Sequence, residues 1–443
     1  MNKMKRILVV FIVLIFALTP FAIAGCAGEG KKDGGKAVII LPGILGSILV
    51  NQSGNSMYFF NPGGDFGLGF GEGDYKPDVR FGDFRYILSV LTDEDGNNVE
   101  CKLHVGSVHT PNLRPPHPFD ELQHSGGTIN HLLPLYSGLM AEFGDDHTVV
   151  TWQYDWRMGI APAADKLDAF IKAQNYSEVV LVAHSMGGLL ANAYLAKGQA
   201  QRDKVSLYVT YAAPHGGVVD ALYALETGDQ VFFDLSDFGA IGTMVGGVID
   251  TVLQMPCFPD LIPNKALLES SFYKNQEAGV PSFIEIEYEK GKYKFLTDWD
   301  EIFEFYQTRP WTNYVANKEK QGERKPVVTK AFEVMDSYYL GNSHVSHLVN
   351  TQYIVATEEG HPATIYMRYN LNEDGSYSVE PITASNRHIY QSNEISDMVV
   401  PKGSAVCGLP YSDPRIFEVT NGHVDVVWDN VPFVISKIKA LWK

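Results

Sequence analysis

Cysteine is scarce: four in 443 residues, at positions 26, 101, 257 and 407. They lie far apart, so no disulfide framework can staple the fold, and no metal-type spacing is present. If Cys26 is modified, three remain and at most one disulfide can form; free, partly buried thiols are the expectation. Positive charge is also short. Lys and Arg number 35 against 52 Asp and Glu, a formal net charge of −17. That balance argues against nucleic acid as a partner, and an acidic membrane surface would repel the folded body. A fixed-period repeat and a long low-complexity tract are both missing, which argues against solenoids and disordered arrays. What remains is ordinary globular composition, 45% hydrophobic and 12% aromatic. The length suits one large domain with insertions, or two domains, and nothing in it calls for a metal or other cofactor.

The N-terminus does not read as part of the fold. Lys3, Lys5 and Arg6 precede an almost unbroken apolar run, Ile7 to Ala24, interrupted by Thr19 and Pro20. This is the layout of a secretory signal. It ends in Ile23-Ala24-Gly25-Cys26, which looks like a bacterial lipobox with Cys26 as the lipid acceptor. Residues 1–25 are therefore expected to be removed, with residues 26–36 as a glycine-rich flexible tether. The alternative is an uncleaved anchor, since the run approaches the ~20 residues needed to span a bilayer. Either way the body is expected outside the cytoplasm, held at a bacterial cell membrane or outer membrane.

Strand-like and helical segments then alternate, which predicts a mostly parallel α/β sheet flanked by helices. Ala37 to Leu41 is apolar on both faces, as a covered parallel strand is. Residues 51–125, rich in Gly, Asp, Asn, Pro and aromatics, read as an irregular insertion. Leu132 to Phe143 has helical spacing, Val149-Val150 is a strand, and Ala164 to Ala173 a helix. Ser206 to Tyr211 is the next strand. From 218 to 345 the alternation is lost, and this region is expected to be a cap or lid over the carboxyl edge of the sheet. The sheet resumes at Gln352 to Thr357 and Thr364 to Tyr369, with a hairpin at Asn372 to Gly375. Residues 37–217 and 346–443 thus form the two parts of the core. A strand-like Ile416 to Thr420 and a closing helix over residues 431–442 end the chain.

The chemistry centres on Ser177 to Tyr194, SEVVLVAHSMGGLLANAY. An apolar strand stops at Ala183-His184-Ser185-Met186-Gly187-Gly188 and a helix follows, the context of a nucleophile elbow. Small residues at 183 and 187 are needed because a strained turn packs strand and helix tightly there. The Met186 N–H, at the start of the helix, can face a developing oxyanion. A second donor is expected after the first strand, where Pro42-Gly43-Ile44-Leu45-Gly46-Ser47 turns a backbone amide, most plausibly that of Ile44, into the site. A serine nucleophile needs a base, and the base needs an orienting carboxylate. In the α/β-hydrolase order Ser, Asp or Glu, His, Ser185, Asp397 and His423 qualify, with Glu394 the rival acid. His184 belongs to the elbow and is expected to point away from the nucleophile.

These motifs together resemble the lecithin:cholesterol acyltransferase family, which includes lysosomal phospholipase A2 and phospholipid:diacylglycerol acyltransferases. The most specific match is Tyr154-Asp155-Trp156-Arg157, shortly before the helix that precedes the elbow strand. Leu41 to Ser47 resembles the family's oxyanion motif, Ala183 to Gly188 its elbow, and His423-Val424-Asp425 its histidine segment. Asp397-Met398-Val399-Val400-Pro401 is similar to its acid loop and favours Asp397 over Glu394. The resemblance implies an α/β-hydrolase fold with an inserted cap and an acyl-enzyme on Ser185. It also implies a lipid-ester donor, with water or an alcohol as acceptor. Gly43, Leu45 and Trp156 are expected to contact substrate, although for the Tyr154–Arg157 run as a whole a structural role is favoured over a chemical one. The family's lid disulfide has no counterpart. The leading reading is a membrane-tethered serine acyl hydrolase or acyltransferase. The others are a general carboxylesterase or lipase, and a ligand-binding lipoprotein that only keeps the fold.

Overall fold

The computed structural model describes residues 35–44, 46–47, 49–51, 132–227, 256–275, 279–309, 321–358, 364–383, 396–397, 399–423 and 425–442, with short strands between 56 and 105. The N-terminal apolar run expected to be a signal, Cys26, Cys101 and most of the 51–125 stretch lie outside them. Among the described residues no helix is long and apolar enough to cross a membrane.

The strands in chain order are β1 (Lys36–Leu41), β2 (Thr148–Thr151), β3 (Glu178–His184), β4 (Val205–Tyr211), β5 (Ile284–Glu289) and β6 (Lys292–Phe295). They continue with β7 (Thr351–Ala356), β8 (Thr364–Leu371), β9 (Tyr377–Thr383) and β10 (Ile416–Val419). The main helices are α1 (Leu133–Phe143), α2 (Ile160–Ala173), α3 (Met186–Ala196), α4 (Val219–Thr227), α5 (Trp299–Thr308), α6 (Gln321–Ser337) and α7 (Val431–Leu441). Six strands form one sheet in the order β10-β7-β4-β3-β1-β2, and every neighbouring pair is parallel.

Because side chains alternate along a strand, β1 and β3 feed two cores. Ala37, Ile39, Leu41, Leu181 and Ala183 pack against Leu167 and Ile171 of α2 and Leu189, Leu190 and Tyr194 of α3. Val38, Ile40, Val180 and Val182 face Leu135 and Leu139 of α1 and Val434 and Ile438 of α7. This two-sided covering is why β1 carries no polar face.

Helix α2 begins at Ile160, earlier than the Ala164 expected from sequence, and so contains Pro162 in its first turn. Proline is tolerated there because a first-turn N–H has no helical acceptor. The Ile160 N–H donates instead to Asp260 Oδ2 at 2.8 Å. Burial pushes the Asp260 carboxyl up to about 7, although the Ile160 amide favours its charged form. A raised acid pKa means that the folded state holds its proton between pH ~4 and ~7 while the unfolded chain does not. Stability from this group is therefore greatest at low pH and falls as pH rises through that window. Asp260→Asn keeps the acceptor and removes the ionisation. Its stability relative to the parent is expected to grow by roughly 2–3 kcal/mol between pH 5 and pH 8, read from urea midpoints at the two pH values. A constant difference would show that Asp260 titrates normally.

The cap departs from expectation. β8 does not extend the main sheet; it joins a separate four-stranded sheet in the order β6-β5-β8-β9. β5 runs parallel to β8 while β6 and β9 are antiparallel neighbours. The second sheet therefore draws on residues 364–383 as well as 284–295, with β7 of the main sheet between them in sequence. Residues 284–295, β5 and β6, form a hairpin. The sheet has its own core, joining Leu222, Phe283, Ile284, Tyr306, Phe332, Met367 and Tyr369. Within it Glu226 receives two hydrogen bonds from Arg309, at 2.7 and 2.8 Å, so the buried charges are paired. Within the region expected to be a cap or lid, residues 228–255 lie outside the described residues.

Candidate active site

All the candidate groups follow the carboxyl ends of strands in the main sheet, where the loops of parallel strands converge. Ser185 comes directly after β3, Pro42 to Ser47 after β1, Asp397 in the connection beyond β7, and His423 after β10.

Ser185 sits at φ 54°, ψ −130°, a left-handed conformation that a non-glycine residue adopts only where its surroundings impose it. Three close approaches impose it here. A Cβ at Gly187 would lie 2.3 Å from the Leu41 carbonyl oxygen, one at Gly188 2.4 Å from Ala213 Cβ, and one at Gly43 2.7 Å from Ser185 Cβ. The elbow is thus wedged between the β1 loop, the β4 loop and its own helix. The Ser185 N–H donates to the Tyr211 carbonyl at 2.9 Å, so the last residue before the helix is still tied to β4.

The three residues singled out by order are brought together. The Ser185 hydroxyl donates to His423 Nε2 at 2.9 Å, and His423 Nδ1–H donates to Asp397 Oδ2 at 2.7 Å. Asp397 is fully buried. Its Oδ1 accepts the backbone amides of Val399 (3.0 Å) and Val400 (2.7 Å). Those donors are main chain, so the loop forms although Val399 is not a small residue. The His423 N–H donates to the Asp397 carbonyl at 2.9 Å, and the Glu358 N–H at the end of β7 to Ser396 at 2.8 Å. Acid and base loops are therefore joined backbone to backbone. Glu394 lies outside the described residues, Asp336 is exposed on α6, and Asp374 is exposed at the β8–β9 turn.

Met186 is the first residue of α3, so its amide has no intrahelical acceptor and faces the nucleophile's end of the helix. Ile44 is half-buried against the core, and Gly43 abuts Ser185, with a hypothetical Cβ 3.2 Å from Oγ. Leu45 lies outside the described residues. Trp156 corrects the expectation of a substrate contact. It is 1% exposed and its indole N–H donates to the Ser47 carbonyl at 3.3 Å, so it is a core residue bracing the loop after β1. Its neighbours Asp155 and Arg157 form an ion pair at 2.6 Å, with Arg157 fully buried and Asp155 partly so.

The geometry shows a contact not drawn from sequence. His184 Nε2–H donates to the His423 carbonyl at 2.9 Å, and so holds the loop that carries the base. Misplacing a reacting group by about 1 Å costs up to about 10²-fold. His184→Phe is expected to lower kcat roughly tenfold or more, whereas His184→Gln, whose amide can reach the same carbonyl, is expected to retain most of it. Equal loss in both, or none in either, would remove His184 from the account. His215, His344 and His347 belong elsewhere. Burial, with repulsion from His347, pushes His215 down to about 3, and Asn192 and Ser346 are the side chains that bond His215 and His344. Cys257 and Cys407 are free and fully buried, and burial pushes both thiols up.

Residues 138–426 match the family model for lecithin:cholesterol acyltransferase. The chain belongs to that family. Members share the α/β-hydrolase fold described above, and the matched span contains the elbow, the acid loop and His423. Among solved structures, the chain is similar to "The crystal structure of Tle4-Tli4 complex". Identity is 12%, 92% of this chain and 99% of that chain are covered, and the TM-score is 0.56. It is also similar, at 11% identity and a TM-score of 0.36, to the Bacillus licheniformis lipase BlEst2 in its mature form, over 96% of this chain and 99% of that one. The first likeness speaks to the fold, and nothing rests on the second. No curated protein sequence matches the chain.

Proposed function

We propose that this protein is a serine acyl hydrolase or acyltransferase of lipid esters, working through Ser185, His423 and Asp397. The observation that carries the proposal is the unbroken chain of hydrogen bonds from Ser185 Oγ through His423 to Asp397, set on a strained elbow. The Asp397 carboxylate holds the proton of His423 on Nδ1 and leaves Nε2 as the base. Ser185 Oγ attacks the ester carbonyl carbon as its proton passes to Nε2, and the carbonyl electron pair moves onto oxygen. The amides of Ile44 and Met186 receive that oxyanion. On collapse the C–O bond to the alcohol breaks, Nε2 returns the proton to the leaving alkoxide, and the acyl group remains on Ser185. Water or a second alcohol repeats the sequence in reverse, giving free acid or a new ester.

The lipid-ester substrate is supported by the family, and membrane tethering by the N-terminal sequence. An enzyme held by lipid on Cys26 meets bilayer substrate at high effective concentration, whereas the net negative charge, −17 for the whole sequence, gives the body no attraction of its own to an acidic surface. The test is fatty-acid release from mixed phospholipid and neutral-ester vesicles by residues 27–443, with and without a long-chain alcohol, beside Ser185→Ala. Ser185-dependent release diverted to alcohol ester identifies an acyltransferase; free acid alone identifies a lipase or phospholipase. Release that is equal in both proteins, or absent from both, contradicts the proposal.

A further inference from the structure

We propose that Tyr154 is a positioning residue for the oxyanion-binding turn, acting through a single hydrogen bond from its hydroxyl to the Pro42 carbonyl. The inference rests on the proposed reading of Ser185 and Ile44. The bond is 2.9 Å long and fully buried, and it spans 112 residues of sequence.

The turn after β1 is held at both ends. Inside it, the Gly46 N–H donates to the Gly43 carbonyl at 3.0 Å. The turn is tight enough that a Cβ on Gly46 would come 2.6 Å from Pro42 Cβ. At its far end the Tyr154 N–H donates to Ser47 Oγ at 3.2 Å, and the Trp156 indole donates to the Ser47 carbonyl. At its near end the Tyr154 hydroxyl takes Pro42. One short segment, Tyr154 to Trp156, thus grips the turn on either side of Ile44.

Planarity makes this grip matter to chemistry. In a trans peptide unit the carbonyl and the next N–H are rigidly opposed, and no cis peptide occurs among the described residues. Bonding the Pro42 carbonyl therefore sets the plane that enters Gly43. Bonding the Gly43 carbonyl sets the plane whose other end is the Ile44 N–H. Two consecutive planes are fixed by bonds to their carbonyls, and the direction of the Ile44 amide follows. Gly43 itself is pressed against Ser185, 3.2 Å from Oγ by its hypothetical Cβ, so a rotation of the first plane would shift the donor relative to the nucleophile. Burial holds the Tyr154 phenol far above its ordinary range, so the hydroxyl remains a donor at every working pH. Tyr154 stacks on Trp152 with ring centroids 6.0 Å apart, which keeps the ring in place if the hydroxyl alone is removed.

Tyr154→Phe is the test, assayed on an ester substrate beside the parent, Ser185→Ala and Ser47→Ala. An oxyanion donor is worth on the order of 10²–10³ in kcat. Loosening one is expected to lower kcat roughly 10- to 100-fold with KM changed less than about threefold. Affinity for a boronic acid that forms the tetrahedral adduct should fall by the same factor as kcat. A residue that only supports the fold would lower the thermal midpoint and leave kcat and boronate affinity at 25 °C unchanged; that result overturns the inference alone, provided the parent is active and Ser185→Ala is not. An inactive parent, or activity independent of Ser185, overturns the reading of the site and this inference with it. If Tyr154→Phe does not fold, Ser47→Ala decides. It removes one of the two bonds at the far end of the turn, the Trp156 bond to the Ser47 carbonyl remaining, and is expected to lower kcat at unchanged KM by less than Tyr154→Phe would; unchanged kcat contradicts the inference.

Discussion

Ser185→Ala is expected to lower kcat by on the order of 10⁶-fold while leaving the fold and the thermal midpoint close to those of the parent. The size follows from what the hydroxyl does: without Oγ no acyl-enzyme forms, and a single direct attack by water must replace two easier steps. The small structural effect follows from the site. Ser185 is held by backbone, through its N–H to Tyr211 and by the contacts of Gly43, Gly187 and Gly188 around it. Its side-chain bond is to His423 alone among the described contacts. Alanine fits the same left-handed position at similar strain. The check is steady-state kinetics with substrate held well above KM, beside a thermal melt. A loss below about 10²-fold would mean that another group attacks the ester.

Asp397→Asn is expected to cost about 10⁴-fold in kcat. The carboxylate accepts three hydrogen bonds: from Val399 and Val400 on Oδ1 and from His423 Nδ1 on Oδ2. An amide in the same place keeps one oxygen. If that oxygen stays with the two backbone amides, the NH₂ group faces His423 and forces the imidazole proton onto Nε2. The base then has no lone pair for Ser185. If the amide flips, the NH₂ faces two N–H donors in a fully buried position, and stability falls instead. The first arrangement predicts low kcat with a near-normal melt, the second a lower melt, and in neither does the variant work as the parent does. Near-parental kcat in a folded Asp397→Asn would pass the role of acid to another carboxylate.

The parts of the molecule that were legible in sequence are those whose cause is local. β1 and the β3–elbow–α3 unit announce themselves because a strand covered on both faces must be apolar throughout, and because the turn leaves room only for small residues at 183 and 187. The order of Ser185, Asp397 and His423 was legible for a similar reason, since Ser185 and His423 each follow a strand of the main sheet and Asp397 lies in the connection between two of its strands. The cap sheet was not. β5 pairs with β8 some 80 residues away, and its inward glutamates hide the apolar alternation. Glu285 is satisfied by Arg368 at 2.6 Å, and Glu287 by the Leu371 amide at 2.7 Å. A charge buried against a distant partner carries no local signal. Trp156 and Tyr154 show the same limit at the site. Their run was conspicuous, but whether it touches substrate or braces the turn depends on Ser47 and Pro42, more than 100 residues earlier. The unusual start of α2 likewise depends on Asp260, which no pattern near Ile160 could indicate.

The central claim is that Ser185 is a nucleophile activated by His423, and a serine-directed fluorophosphonate tests it without any assumption about substrate. Intact-mass and peptide mapping of residues 27–443 after labelling are expected to show one adduct per chain, on the peptide containing Ser185. The adduct should be absent from Ser185→Ala and slowed by orders of magnitude in His423→Ala. No adduct on the folded parent, or an adduct that persists in Ser185→Ala, would contradict the account.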